Sequence, residues 1–507
     1  MFMVNEVANL VRIVTSRAVA ATPLLDLRSS PASKEQLFVS TVKQQPEASQ
    51  LQLAKAVYGK ATTTNLRALQ KLQSRVRSKL LNHLYFLDHT DPRLVVSRRY
   101  ELECLDLLHK VSVLYAERDF RLAERLLLKC LKLAETGEFT QYAVMAARML
   151  RNLYAELRRP ASYKKAGTVL TRAQQRLGWE DEAEQLYAAT QLASNGSVAG
   201  RRALLAALPG RIAQLELLHR RAGSFTTYNI LYRTRIACEE MQGNFPAMIR
   251  IAAAADRHFQ AGKLNARRFD LRFNHFTAIY AYLRSRQPVR GLQLAERYLR
   301  DFHPSSNNWF YFQEHHLLLA LHARCYDLAR QLIETVMANS GFLGQREAAK
   351  QRWDLYRSYI EFVQPPARLP SARQRQLNQQ MLVLPEYSRD KRGHNVAIMV
   401  LQLLYFLRER NLEPVMLRLE RLRKYQQRHL NEGEMLRSRL FLRLLQVIVE
   451  KNFDADKAAE RSKALLQQLR DTPPPGGAFA EVEIIPYENL WEIVLDLLRE
   501  GPPVPVE

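Results

Sequence analysis

Apolar residues recur in this sequence at intervals of three and four, and this spacing excludes most folds other than helical ones. From Cys104, the apolar residues Leu107, Leu108, Val111, Leu114 and Tyr115 recur at helical spacing. They lie on one face of a helix. A second stripe follows Phe120, at Leu122, Ala123, Leu126, Leu127, Cys130 and Leu131. Because the chain turns between the two stripes, the pattern predicts an antiparallel helical hairpin.

The same spacing returns along the chain and predicts seven hairpins. The other six fall in residues 142–175, 228–258, 272–302, 309–339, 397–430 and 437–469. Alternating strand-like runs are almost absent, and the pair Asn195-Gly196 is flanked by helical sequence. We therefore expect an all-α fold of stacked antiparallel helical hairpins.

The predicted bends carry an aromatic residue followed three positions later by a small one. Three bends show this pair: Phe120 with Ala123, Tyr163 with Ala166, and Tyr326 with Ala329. We expect the aromatic ring to fill the bend and the small residue to let the second helix approach. The pair, and the segment LYAERDFRLA (114–123), resemble the tetratricopeptide repeat. The resemblance implies a TPR-like α-solenoid that binds other proteins.

The repeat is degenerate. The pair decays to Phe245/Met248, Pro288/Gly291 and Leu412/Val415, and the spacing from Phe120 to Tyr163 is 43 residues where the family uses about 34. A non-repetitive helical bundle with the same hairpin chemistry is the alternative. Two later segments, 386–407 and 481–498, are similar to helical proteins of bacteria, a resemblance that implies no activity.

Breaks in periodicity indicate the domain boundaries. The first follows SSPAS (29–33), where Ser33 and Gln36 are spaced as a capping box, and the others are rich in proline. We expect an N-terminal amphipathic helix and linker (1–32), a basic three-helix module (33–90), hairpin repeats (91–363), a linker (364–394), further hairpin repeats (395–470), and an acidic tail with a terminal capping helix (471–507).

Positive charge is the main compositional feature. The 507 residues contain 75 Lys and Arg against 51 Asp and Glu, a net charge of +24. Residues 1–100 hold 15 cations and 6 acids, whereas residues 471–507 hold 1 and 8. Such a chain attracts nucleic acid, anionic lipid or acidic protein segments. The alternative is a solvated excess of arginine with no ligand.

A row of cations marks the most basic helix, predicted over 65–87. Its residues Arg67, Lys71, Arg75 and Lys79 recur every four positions, so they share one helical face that could follow a phosphate backbone. The stripe expected to be buried beside them is Leu66, Leu69, Leu72, Val76, Leu80, Leu84 and Leu87.

Residues 51–69, with Ala54 and Gly59, loosely resemble a helix-turn-helix, although Lys60 and Asn65 depart from the apolar preference of that motif. A solvated basic face on a capping helix is the alternative.

The terminal helix has the opposite charge. Glu488, Glu492, Asp496 and Glu500 form an acidic row, and an apolar face comprises Leu490, Trp491, Val494, Leu497 and Leu498. We expect this helix to cap the last hairpin. Alternatively it is a tether whose docking on a basic surface competes with a ligand.

Other segments favour no chemistry. The aromatic run Trp309 to Phe312 could stack on bases, but at helical spacing we expect core. His322 and Cys325 could share a metal ion, yet no further ligand is evident. Phosphate-loop and nucleophile-elbow motifs are absent. We expect no enzyme, cofactor or metal site.

The four cysteines lack paired spacing, which favours a reducing, cytoplasmic compartment. No window approaches the 18 or so apolar residues of a membrane span. The sequence thus predicts a protein-interaction scaffold or regulator, for which an acidic protein is a candidate partner. The alternative is a nucleic-acid-binding regulator that uses the basic module.

Overall fold

The computed structural model of the chain is built from helices. It describes residues 10–15, 24–26, 33–45, 47–87, 91, 95–194, 198–365, 372–373, 375–377, 392–408, 412–429, 436–472 and 483–500. Every regular element within these ranges is a helix, which confirms the all-α prediction. Most of the predicted N-terminal segment 1–32, most of the 364–394 linker and the Pro473-to-Gly477 stretch lie outside the described residues.

Ten helices lie between residues 34 and 260, after a short helical stretch at 10–15. They are α1 (Lys34–Gln44), α2 (Gln50–Tyr58), α3 (Thr63–His83), α4 (Val96–Ala116), α5 (Phe120–Thr136), α6 (Thr140–Glu156), α7 (Pro160–Ser194), α8 (Val198–Ala222), α9 (Phe225–Met241) and α10 (Phe245–Gln260). A short 3₁₀ turn, Leu84–Phe86, follows α3.

The remaining helices continue the alternation of helix and short connection. They are α11 (Leu271–Arg284), α12 (Pro288–Tyr298), α13 (Asn307–His322), α14 (Tyr326–Ala338), α15 (Glu347–Val363), α16 (Arg392–Arg408), α17 (Leu412–His429), α18 (Leu436–Glu450), α19 (Ala455–Asp471) and α20 (Tyr487–Glu500). Each predicted hairpin corresponds to two successive helices. The long α7, the separate α8 and the unpaired α15 were not predicted.

Eight of the connections in the described part of the chain share one bend geometry. In each, a residue with positive φ ends the first helix, and the next residue donates its N–H to a carbonyl five positions earlier, as Asp119 does to Leu114 at 3.0 Å. This is the Schellman motif, which satisfies carbonyls that a helix end leaves free. The positive-φ residues are Arg118, Glu138, Arg158, Gly243, Gly262, Arg286, Arg324 and Asn452.

Arginine occupies four of these eight left-handed positions. Glycine is the residue that usually ends a helix this way, because a Cβ atom raises the energy of the left-handed conformation by about 1–2 kcal/mol. A long cationic side chain at such a bend therefore has a local conformational cost. The bends of α4/α5, α6/α7, α11/α12 and α13/α14 each present one arginine at this position.

The aromatic and small residues of the bends behave as predicted in two of three cases. Phe120 is half-buried and lies edge-on to Tyr115, and Tyr326 is half-buried against the core, while Ala123 and Ala329 are fully buried. The prediction for Tyr163 is wrong, since its side chain is 45% exposed. The positive-φ residue of the α6/α7 bend is Arg158, and Tyr163 is the fifth residue after it. Ala123 and Ala329 are likewise the fifth residues after the positive-φ residues of their bends.

The chain forms two compact units. The first comprises Met1–Leu94, Arg98–Leu133 and Met145–Gly167, and the second comprises Val95–Ser97, Ala134–Val144 and Thr168–Glu507. In the first unit, helices α1 to α3 share an apolar cluster centred on Ala54, Leu69 and Leu72. In the same unit the Cys130 thiol of α5 donates to the Cys104 carbonyl of α4 at 3.7 Å.

In the second unit, helices from α8 onward pack mainly on their neighbours in sequence. One large apolar cluster extends from α10 to α20. It crosses the interval of the predicted 364–394 linker, because the Tyr359 hydroxyl of α15 donates to the Ala397 carbonyl of α16 at 2.7 Å. The hairpins on both sides of that interval therefore share one core.

The α11–α12–α13 contact depends on a residue without a side chain. A Cβ atom built on Gly291 of α12 would lie 2.6 Å from Leu319 Cδ2 on α13 and 2.9 Å from Tyr282 Cβ on α11. Neither distance is compatible with normal packing. Gly291 is the fifth residue after the positive-φ residue of its bend, the position that Ala123 and Ala329 occupy in theirs. At this bend the close approach of the helices requires glycine.

We expect Gly291→Ala to destabilise the chain by about 1–3 kcal/mol, because the new methyl group overpacks the α11–α13 contact. Thermal unfolding followed by circular dichroism measures the change. The matched control is Gly178→Ala in α7, where a Cβ atom meets nothing within 4 Å. Alanine should raise stability there by about 0.5–1 kcal/mol, since it favours the helix. Equal effects of the two substitutions would contradict the packing argument.

Candidate interaction surfaces

The basic module contains a sharp turn between two helices. Helix α2 ends at Gly59, whose φ is +78°, and α3 begins after Thr62, whose hydroxyl accepts the Asn65 N–H at 3.2 Å. Ala54 is fully buried where the helices meet. A short turn with a left-handed glycine thus joins α2 and α3, and the loose resemblance to a helix-turn-helix stays a prediction.

Helix α3 carries the predicted row of cations. Arg67, Lys71 and Arg75 are exposed along one face, and the helix contains no Asp or Glu over its 21 residues. Lys79 differs from the other three, because its Nζ lies 2.8 Å from Glu35 Oε2 on α1 and both side chains are about one-fifth exposed. Three cations of the row are therefore available to a polyanion, and the fourth is held in an ion pair.

The apolar stripe of α3 is buried only in its first half. Leu69, Leu72 and Val76 are buried, whereas Leu80, Leu84 and Leu87 are 41–54% exposed, contrary to prediction. The reason is the length of the neighbours: α1 and α2 have 11 and 9 residues against 21 in α3. The last turns of α3 extend past the helices that cover its first half.

The acidic row of α20 lies on arginines from other helices. Arg286 Nη1 is 3.3 Å from Glu488 Oε1, and Arg324 Nη2 is 2.6 Å from Glu492 Oε2. Both arginines are the positive-φ residues of their bends, at α11/α12 and α13/α14. Arg470 also approaches Glu492, at 3.4 Å. The two bends thus contact two carboxylates that are one helical turn apart.

Arg437 of α18 is the most buried cation at this surface, with 2% of its side chain exposed. It donates to Glu483, to Glu488 at 2.8 Å, and to the backbone carbonyls of Leu469 and Thr472 at 2.6 and 2.8 Å. Burial opposes its charge, but the hydrogen bonds and charges of the two glutamates outweigh that effect and raise the pKa of Arg437. The guanidinium therefore joins three segments around one charge.

The apolar face of α20 is part of the core. Five of its side chains are at most 6% exposed and belong to the large cluster of the second unit: Tyr487, Leu490, Trp491, Val494 and Leu498. Helix α20 packs on α16, α18 and α19. Releasing the helix would expose all of this surface and leave Arg437 without its carboxylates. The contacts therefore favour the capping interpretation over the mobile tether.

The remaining candidate residues contribute to packing. Trp309, Phe310 and Phe312 are buried, and only Tyr311 of that run is exposed. His322 Nε2 lies 2.8 Å from the Glu483 carbonyl, and burial lowers the pKa of this imidazole. Cys325 is exposed at the α13/α14 bend.

Within the described ranges no group of three His, Cys, Asp or Glu could hold a metal ion. None of the helices described there combines the length and hydropathy that a bilayer crossing needs.

His316 is a buried residue that the sequence did not single out. Its side chain lies on α13 with 3% exposure, and neither ring nitrogen has a hydrogen-bond partner among the described residues. Burial lowers the pKa of His316 to about 4, so the ring is neutral at pH 7. It contributes as an apolar ring beside Phe312 rather than as a charged group.

Comparison with known proteins gives no relative. No protein-family model matches the sequence, and neither the curated proteins nor the solved structures include a significant match. The geometry of the surfaces described above is therefore the basis for any functional conclusion.

We expect Arg437→Ala to destabilise the second unit by about 3–5 kcal/mol, because it leaves two glutamates without their buried cation. Thermal unfolding monitored by tryptophan emission checks this, since Trp491 reports on α20. Arg443→Ala is the matched control on the same helix, where the side chain is exposed, and it should change stability by less than about 0.5 kcal/mol. Similar losses in both variants would mean that the Arg437 contacts do not anchor α20.

Proposed function

We propose that this chain is a non-enzymatic protein-interaction scaffold or regulator, built on TPR-like hairpins that form a solenoid. The observation that carries the proposal is the docking of α20. Arginines at two successive hairpin bends, Arg286 and Arg324, contact carboxylates spaced by one helical turn. A protein partner with an acidic, amphipathic segment would be bound by the same chemistry. The net charge of +24 favours its approach.

The proposal predicts that tagged full-length chain captures a defined protein partner from a lysate of its source after nuclease treatment. A fold-broken variant, Ala329→Glu, serves as the control, because it buries an unpaired charge at a fully buried position of α14. Proteins retained by both forms are non-specific. If nuclease removes every protein that the wild-type chain retains specifically, the scaffold proposal fails.

A second candidate function is nucleic-acid binding by α2 and α3. Two features favour it: the left-handed turn at Gly59, and the three exposed cations on a helix that has no carboxylate. In this function α3 would lie along a phosphate backbone, and each of Arg67, Lys71 and Arg75 would displace a counterion.

For this candidate, reversing Arg67, Lys71 and Arg75 to Glu should abolish binding to a mixed-sequence DNA duplex. The single reversals should each weaken it and make the plot of log affinity against log salt shallower by about 0.9. Fluorescence anisotropy at several salt concentrations measures both effects.

The matched control for the triple reversal changes the same number of exposed arginines elsewhere, Arg220, Arg250 and Arg290, to Glu. This control keeps the net charge of the α3 variant but leaves α3 intact. Equal losses in the two triple variants would mean that the chain attracts DNA through its overall charge and that α3 is not a binding site.

A further inference from the structure

The docking of α20 defines a recognition geometry within the chain itself. Two successive hairpins end their first helices at Arg286 and Arg324, with φ of +55° and +61°. These residues are 38 positions apart and contact Glu488 and Glu492, which are four positions apart on α20. The apolar face of α20 is buried in the core, and its acidic row contacts these arginines. Paired bend arginines therefore bind an acidic amphipathic helix in at least one place.

The first unit contains a second pair with the same construction. Arg118 ends α4 with φ of +58°, and Arg158 ends α6 with φ of +51°. These bends also belong to successive hairpins, and the arginines are 40 positions apart. Both side chains are exposed, and neither has a carboxylate within 4 Å among the described residues. This pair thus offers the same groups as Arg286 and Arg324, without an acidic helix on them.

The two bends are held next to each other. The Tyr115 hydroxyl of α4 donates to Glu156 of α6. Across the same contact Arg159 donates from Nη1 to both oxygens of Glu124, at 3.2 and 3.0 Å. An open cavity of about 530 Å³ lies at this place, lined by residues of both bends, including Arg118 and Leu157. The arginines are therefore presented by a fixed pair of bends beside a recess.

The cavity is lined by four arginines, Arg12, Arg118, Arg121 and Arg159, and by three acids, Glu117, Asp119 and Glu124, so cations are in excess. Glu124 is held by Arg159, and the Asp119 carboxylate accepts the Leu122 N–H at 3.2 Å as a cap of α5. Apolar surface is also present near the α6/α7 bend. Tyr163 is 45% exposed at a register where Ala123 and Ala329 are fully buried, so the start of α7 lacks the cover that those bends have.

We infer that the α4/α5 and α6/α7 bends bind an acidic amphipathic helix of a protein partner, with carboxylates spaced i, i+4 on Arg118 and Arg158 and an apolar residue against Tyr163. This inference rests on the proposed scaffold function and names the partner segment and the residues that bind it. Charge complementarity and the example of α20 identify the ligand.

The test uses a peptide with the sequence of α20, YENLWEIVLDLLRE (487–500), labelled and added to the full-length chain. The wild-type chain should bind it in an anisotropy titration. The double variant Arg118→Gly/Arg158→Gly should bind at least tenfold more weakly, a loss of about 1.4 kcal/mol. Glycine is favoured at positive φ, so this variant removes both guanidinium groups while the bends and the melting temperature are retained.

Two controls make the result specific. A peptide with Glu488→Gln and Glu492→Gln should lose the same binding energy, and its affinity should not differ between the wild-type chain and the double variant. Arg220→Ala/Arg250→Ala removes two exposed arginines from other helices and should leave the affinity for the acidic peptide within twofold of wild type.

The inference is overturned by either of two outcomes. One is that the wild-type chain does not bind the peptide, and the other is that the double glycine variant binds it as tightly as wild type does. In the latter case the peptide exchanges with α20 at its own site or follows overall charge. The scaffold proposal is judged separately. A protein partner that the wild-type chain and the double glycine variant capture equally after nuclease treatment would support the scaffold function and reject this site.

Discussion

The hydrogen bond that closes each left-handed bend is the contact on which the hairpins depend. It runs between residues five positions apart, as from Cys325 to the Ala320 carbonyl at 2.9 Å, and reverses the chain within a few residues. Helices of 11–17 residues are marginal alone in water, so they require a partner that covers the apolar stripe. The bend brings that partner from the adjacent sequence. Burial of the stripe then stabilises both helices and the bend together.

This constraint explains which residues follow each bend. In three bends the fifth residue after the left-handed position is a small residue at a helix contact, namely Ala123, Gly291 or Ala329. Side-chain size there sets how closely neighbouring helices approach. Tyr163 occupies the same register and is 45% exposed. The residue at this position of the bend is thus buried where it is alanine and exposed where it is tyrosine.

The hairpins were predictable from sequence because their periodicity is local. Seven pairs of helices follow from the spacing of apolar residues, and the capping box of Ser33 and Gln36 is present. The charge of the tail also predicted that α20 would meet cations. Its partners were not predictable, because Arg286, Arg324 and Arg437 are brought together from distant parts of the chain. The exposure of Leu80 and Leu84 depends on the lengths of helices packed beside them, which the stripe does not encode.

The register error at Tyr163 has a similar cause. An aromatic residue three positions before an alanine predicts the bend from sequence, but the position of a bend is fixed by the residue with positive φ. When that residue is glycine the sequence indicates it. At Arg118, Arg158, Arg286 and Arg324 the composition gives no such signal, since arginine is common throughout the chain. The arginines at the bends can therefore be identified only from the backbone φ angles and not from the sequence.

Charge acts at two ranges in this molecule. Residues 1–470 hold 74 cations and 43 acids, a net of +31, and the tail adds −7. Its carboxylates Glu483, Glu488 and Glu492 are already bound by arginines. The excess of positive charge therefore still produces an electrostatic field beyond about 10 Å. This field increases the rate of encounter with acidic ligands and is screened by salt. Selection among those ligands requires groups at fixed spacing. Bend arginines satisfy that requirement because the backbone fixes their origin, while scattered helical arginines contribute mainly to the field.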